Sequence, residues 1–280
     1  MSGFSIEWLN LREVSDDRAR DKLLLETAAD WLNNLKAQDK VIVDLGSGTG
    51  STIRGLTRHT TLAPSIQWRL VDNDPKLLAE AIHRHSKECL IESHLADLSN
   101  IQKLPLESVS LITASALLDL VSENFMRDLS QLITEKNDDR PLGFYSALNY
   151  DGHVKWTPFH PLDTAILMNF NIDQRRDKGF GPALGPDATD FLKQQFHSTK
   201  FQCLNAKSPW LLGPADYLLT ESLINGIAGV AIQTDRLTNT DILNWKKFRM
   251  QHVRTGKCFL GHSDILILPE ASSAADKALE

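Results

Sequence analysis

Cysteine is scarce in this 280-residue chain. Cys89, Cys203 and Cys258 lie far apart, with no CxxC or His–Cys spacing, which excludes a disulfide frame and a thiolate zinc site and suits reduced thiols in the cytoplasm. No His/Asp/Glu cluster has metal-ligand spacing either, so no metal site is expected. No apolar run approaches the ~20 residues of a membrane span. Charge comes early (Glu7, Arg12, Glu13) in place of an apolar leader segment, so no signal peptide is expected. Basic residues are outnumbered, 30 Lys and Arg against 36 Asp and Glu, and the net charge of -6 argues against a large phosphate-binding surface and against a nucleic-acid partner.

What the chain has is ample apolar content, 42%, for one large core. Short apolar runs at 41–43, 67–71, 92–95, 109–113, 142–149, 201–205 and 264–268 read as strands. Helix-compatible stretches alternate with them. A helix capped by Ser15 is expected to bury Leu24, Ala28, Trp31 and Leu35. Others are expected from Thr52 to Arg58, from Pro75 through Ile82, and through Phe125, Leu129 and Leu132. Further helices are read at 187–196, 214–231 and 240–253. Strand–helix alternation predicts an α/β chain with a central, mostly parallel, seven-stranded sheet covered by helices on both faces.

One domain is expected. Residues 1–37 read as a helical cover and 38–150 as the nucleotide-binding core, with a polar joint at Gln38–Lys40. Residues 151–187, rich in Pro and Gly, read as a lid or substrate insertion with a short helix at 161–170. Residues 188–270 complete the sheet, with two helices in place of the tight final hairpin; these add a surface on which a homo-oligomer could form. The tail 271–280 is expected to fray.

The strongest local signal is Val41-Ile42-Val43-Asp44-Leu45-Gly46-Ser47-Gly48-Thr49-Gly50, a buried strand running into glycines at alternate positions and then a helix. A dinucleotide turn needs a third glycine in the GxGxxG frame. The frame from Gly46 puts Ser51 there, and the frame from Gly48 puts Ile53 there. No lysine follows Gly50, so a Walker loop does not fit.

The pattern Asp-x-Gly-x-Gly-x-Gly resembles motif I of class I S-adenosylmethionine-dependent methyltransferases. The resemblance runs from about Asp21 to Tyr150 and includes Asp72 after the second strand, Asp97 within His94–Leu98, and Thr113–Leu118 after the fourth. Ser115–Ser122 and Asp177–Gly181 also resemble a bacterial, small-molecule-type subgroup. The resemblance implies a Rossmann-like methyltransferase fold, S-adenosylmethionine as cofactor and S-adenosylhomocysteine as product. The cofactor set it implies is Arg20, Asp44, Gly46, Ser47, Gly48, Gly50, Asp72, Asn73, Asp97, Leu98 and Ser115.

Several roles stay open. Asp72 suits the ribose diol or a helix cap, Asp97 the adenine amino group or a loop turn, and Ser115 the pocket or a local backbone cap. Asp44 can orient the turn or meet the cofactor ammonium. Arg20 can pair with the cofactor carboxylate or lie on a solvated face.

Arg175, Arg176 and Lys178 are candidates for holding an anionic group on a small acceptor, with internal pairing as the alternative. Trp156, Phe159 and Phe170 can line an apolar pocket or belong to the core. His153, His160 and Asp119 are the candidates for a general base, each with a structural alternative. No Asn-Pro-Pro-Tyr-type tetrapeptide follows the fourth strand, so the planar-nitrogen methylation signature is absent. The expected activity is methyl transfer to a small, anionic molecule. The alternatives are an RNA or protein methyltransferase, a non-catalytic cofactor-binding protein, and an oxidoreductase.

Overall fold

The computed structural model describes residues 4–36, 40–232 and 237–270; Gln38, Asp39 and the tail 271–280, for which a joint and fraying were expected, lie outside the described residues. The sheet order is β3-β2-β1-β4-β5-β8-β6, with an eighth strand, β7, beside β8. The strands are β1 (Val41–Leu45), β2 (Gln67–Asp72), β3 (Leu90–Leu95), β4 (Val109–Ser115), β5 (Gly143–Thr157), β6 (Phe201–Lys207), β7 (Trp210–Leu212) and β8 (Lys257–Pro269). The first five pair in parallel; β6, β7 and β5 meet β8 antiparallel.

Helices α1 (Ile6–Ala19), α2 (Lys22–Asn34), α3 (Ser51–His59), α4 (Pro75–His85), α5 (Glu123–Asn137), α6 (Asp163–Gln174), α7 (Ala188–Phe196), α8 (Tyr217–Ile232) and α9 (Asn239–Gln251) surround the sheet. Side chains on a strand alternate between its faces. Val41, Val43 and Leu45 therefore pack with Leu129 and Ile133 of α5 and Leu192 of α7. Ile42 packs on the other face with Leu25 and Leu32 of α2 and Leu56 of α3. Asp44 shares that second face and is fully buried there.

The chain departs from its sequence pattern at four places. Ser15 lies inside α1 and caps nothing: Ser5 caps α1 by accepting from the Trp8 amide at 3.2 Å, and Asp21 caps α2 by accepting from Leu24 at 2.9 Å. Strand β5 runs on to Thr157, so residues 151–157 are strand and the insertion begins at Pro158. The reason is pairing: Val154–Thr157 lie opposite Lys257–Leu260 beyond two irregularities in register. Strand β8 is correspondingly longer than the apolar run at 264–268, and β7 caps its start. Pro214–Asp216 form a 3-10 turn, and α8 starts at Tyr217.

The far ends of β5 and β8, with β7, make a ribbon on which a second cluster sits. Ile166 of α6, Ile224 and Ile227 of α8, and Ile242 and Trp245 of α9 form its core. Trp156 meets Trp245 edge-on at 6.0 Å, and Phe170 meets Tyr150 at 5.6 Å, so both aromatics belong to packing; Phe159 is exposed.

Candidate functional site

The turn after β1 is built on left-handed backbone, with φ of +63° at Gly46, +54° at Gly48 and +82° at Gly50. At Gly50 the requirement for glycine is also steric, since a Cβ there would lie 2.9 Å from the His85 ring. The turn bends around the C-terminal ends of β1, β2 and β4, where open parallel sheets bind ligands.

Asp72, the last residue of β2, faces that turn. One carboxylate oxygen accepts the Gly48 amide at 2.8 Å and the other the Asp74 amide at 3.0 Å. Burial raises its pKa; the Asp74, Gly48 and Asn73 amides pull it back. The Gly48 and Asp74 amides bond one oxygen each, and a carboxylate has roughly four lone-pair positions in all.

Behind the turn lies a buried polar layer. Asp44 accepts the Thr113 hydroxyl at 2.7 Å, and burial pushes its carboxyl up to about 6, with the Thr113 and Thr52 hydroxyls and then Arg20 opposing. Arg20 is 3% exposed and donates to Ser115 Oγ at 2.9 Å and Ser51 Oγ at 3.3 Å. Its Nη1 has no hydrogen-bond partner. Asp44 and Arg20 are thus floor residues: they carry the turn and the serines, and neither lines the cavity itself.

A cavity of about 390 Å³ opens above this floor, within the range of small-molecule sites. Gly46, Ser47, Gly48, Asp72, Asn73, Asp97, Leu98 and Ser115 all line it, so the structure brings together most of the residues singled out in the sequence. Gly50 belongs to the same turn. Asp97 accepts the Ser99 amide at 2.9 Å, an Asx turn that aims the loop after β3.

The rest of the lining comes from segments read in the sequence as a helical cover, as the stretch after the fourth strand and as an insertion, and from α3, whose individual lining residues were not singled out apart from Lys178. Leu9, Arg12 and Asp16 of α1 line the cavity, as do Phe4, Arg54, Leu117, Leu120, Asp177 and Phe180. The signal for α1 as a cover was Ser5 directly before an apolar-bearing run, a helix-start pattern. Arg54 fastens the cover. It donates to Glu13 at 2.7 Å, to the Thr49 carbonyl at 2.6 Å, and lies 2.8 Å from His85 Nε2. Burial first, then Arg54, lowers the His85 pKa, which leaves the neutral ring accepting through Nε2. On the other side Asp16 accepts from the Trp210 indole at 2.9 Å, and Arg12 lies over that ring.

The three proposed anion-holding cations separate. Lys178 lines the cavity and donates to Asp173 at 2.8 Å. Arg175 is exposed and paired with Asp187 at 2.7 Å, and Arg176 is exposed beside Asp173 at 3.5 Å; neither lines the cavity. Of the base candidates, His153 is exposed and bound to Asp151, and His160 packs on Phe248 at 4.9 Å. Neither histidine lines the cavity. Asp119 is buried on the turn between Leu117 and Leu120. Among the described residues no group of three or more His, Cys, Asp or Glu is arranged to hold a metal, and no helix is long and apolar enough to cross a membrane.

No protein-family model matches the chain, and no curated protein matches it. Solved structures do. A cyclopropane-fatty-acyl-phospholipid synthase-like protein from Lactobacillus casei superposes with a TM-score of 0.53 at 14% identity, over 95% of this chain and 94% of the other. The YcgJ protein of Bacillus subtilis superposes with a TM-score of 0.50 at 11% identity, over 90% of this chain and 100% of the other. At these identities the likeness is one of fold, and the fold is the Rossmann-like methyltransferase fold, a mostly parallel sheet with helices around it.

Proposed function

We propose that this protein transfers a methyl group from S-adenosylmethionine to a small molecule. The observation that carries the reading is Asp72. Its carboxylate is fixed by the Gly48 and Asp74 amides, lines the cavity, and keeps lone pairs for a ribose diol. The residues fit the cofactor at its other parts. Asp97 and Leu98, which line the same cavity, would meet the adenine. The glycine turn admits close backbone approach, and Ser51 and Ser115, which line the cavity and are held from behind by Arg20, would offer the amino-acid end two hydroxyls. When bound, the cofactor supplies a methyl carbon already activated by its sulfonium. The protein's own task is then to orient the acceptor and exclude water, and positioning supplies much of such an acceleration.

The acceptor is a small molecule in this reading because α1 and residues 177–180 wall the cavity opposite the cofactor residues. An anionic group would be met by Lys178, the one of the three expected cations that lines the cavity. Calorimetric titration with S-adenosylhomocysteine tests the cofactor, with NAD(P)H as control. Micromolar binding of the former is expected; preference for NAD(P)H, or no binding of either, sinks the reading.

A further inference from the structure

The loop at 177–181 is shaped by its first residue. Asp177 Oδ1 accepts the amides of Gly179 at 2.6 Å and Gly181 at 3.0 Å, and Asp177 pairs with Pro182 in an isolated antiparallel bridge. Just beyond it, the Leu184 amide donates to the Val121 carbonyl at 2.8 Å and ties the loop to the segment after β4. Asp177, Lys178 and Phe180 all line the cavity, and Phe180 is held edge-on by Phe125 at 5.2 Å. Groups fixed in this way lose little freedom when a ligand binds.

Both charges on the loop have capacity left. Lys178 donates to Asp173 at 2.8 Å, which uses one of its three N–H groups. Asp173 also lies 3.5 Å from Arg176, so two cations share one carboxylate. Asp177 Oδ2 carries no hydrogen bond, and among the described residues no ion pair reaches Asp177. Arg12 and Asp16, which line the cavity on the side of α1, are closed on each other at 2.8 Å.

We propose that the methyl acceptor is a zwitterion of amino-acid type with an apolar body. Lys178 takes its carboxylate, Asp177 Oδ2 takes its ammonium, and Phe180 with Leu120 takes the apolar body. This deepens the methyl-transfer reading and rests on it: Lys178 keeps the anionic group, and Asp177 adds the contact for a cation. A simple carboxylate would meet Lys178 but lie beside the uncompensated charge of Asp177. A simple amine would meet Asp177 but lie beside Lys178. The two residues are chain neighbours, with Cα atoms about 3.8 Å apart. Both face one cavity, so a ligand carrying both signs close together satisfies both, and ligands of one sign are disfavoured by the other residue.

The test uses the full chain saturated with S-adenosylhomocysteine, which keeps probes out of the place of the cofactor's own amino-acid end. Three probes share one body: phenylalanine, 3-phenylpropanoate and 2-phenylethylamine. Titration calorimetry should show phenylalanine binding at least about tenfold more tightly than either one-charge analogue, the scale of one hydrogen bond to a charge. Lys178→Gln should weaken phenylalanine and 3-phenylpropanoate by about tenfold and leave 2-phenylethylamine no weaker. Asp177→Asn keeps an oxygen for the two glycine amides; it should weaken phenylalanine and 2-phenylethylamine by about tenfold and leave 3-phenylpropanoate no weaker. Phenylalanine binding no better than its analogues, no probe binding, or variants that bind all three probes as the wild type does would each overturn the proposal while leaving cofactor binding intact. A wild type that does not bind S-adenosylhomocysteine would instead remove the methyl-transfer reading beneath it. Should a variant fail to fold, the ranking of the three probes on the wild type still decides.

Discussion

The backbone amide of Gly48 donates to a carboxylate oxygen of Asp72 at 2.8 Å, joining the turn after β1 to the end of β2. One side chain thus shapes the turn and faces the cavity. Asp72→Ala should remove both effects. A hydrogen bond to a charged group contributes roughly 1.5–3 kcal/mol, so S-adenosylhomocysteine affinity should fall by roughly 10- to 100-fold. Calorimetry measures this directly; unchanged affinity would remove Asp72 from the site.

Gly50→Ala attacks the same turn through its backbone. A left-handed φ costs a non-glycine residue roughly 1–2 kcal/mol, and the new Cβ would press on the His85 ring that Arg54 holds. Thermal unfolding should show a clear fall in Tm, together with weaker S-adenosylhomocysteine binding. A variant as stable as the wild type would mean that the turn relaxes freely.

Asp44 sets a pH dependence of stability. Its folded pKa of about 6 lies above the unfolded value near 3.9, so the folded state holds the proton more tightly. The group's contribution is most favourable below about pH 4, declines as pH rises to about 6, and is level above that. Asp44→Asn removes the buried charge and keeps an oxygen for the Thr113 hydroxyl. The variant should be more stable than the wild type at pH 7.5, by about 1–3 kcal/mol, and the gain should shrink towards pH 4. Urea unfolding at the two pH values decides it: a loss at pH 7.5, or an equal gain at both, contradicts the assignment.

Glu13 and Arg54 fix the cover helix to the glycine turn. Glu13→Gln should cost at most about 1 kcal/mol of global stability, as partly exposed ion pairs do. It should speed ligand entry and exit, because the cover opens more often. Stopped-flow binding of S-adenosylhomocysteine should show faster dissociation with little change in Tm. Unaltered kinetics would mean that α1 is not the gate.

The exposed arginines give a contrast. Arg175→Ala and Arg176→Ala should leave S-adenosylhomocysteine affinity within about twofold, since surface substitutions away from a site have small effects. A tenfold loss in either would put the insertion in contact with the cofactor.

The glycine-turn side of the cavity was legible because it rests on local chemistry. Three glycines at alternate positions announce left-handed backbone, and an acid at a strand end announces a carboxylate at the sheet's C-terminal edge. The parallel pairing of strands β1 to β5 followed from strand–helix alternation. The reach of β5 did not follow: residues 151–157 carry Gly152 and mixed polarity, and only pairing with β8 makes them strand. Ser15 misled because a serine before two aspartates satisfies the capping pattern wherever it falls; it lies inside α1, which Ser5 caps, and the helix that buries Leu24 and Ala28 is capped by Asp21, six residues later.

By itself, then, the sequence determined the glycine turn and the doubly covered sheet, because each follows from backbone conformation or from periodicity within a short window, while the family resemblance singled out Asp72 and Asp97, which line the cavity. Only the tertiary structure decided which charges are free to act. Arg175, Arg176 and Lys178 are alike as neighbours in sequence. Packing turns the first two outward to Asp187 and Asp173 and brings the third into the cavity wall. Packing likewise buries Asp119 without a cation and lays α1 across the site. Such choices depend on contacts between residues far apart in the chain, and those contacts have no local signature.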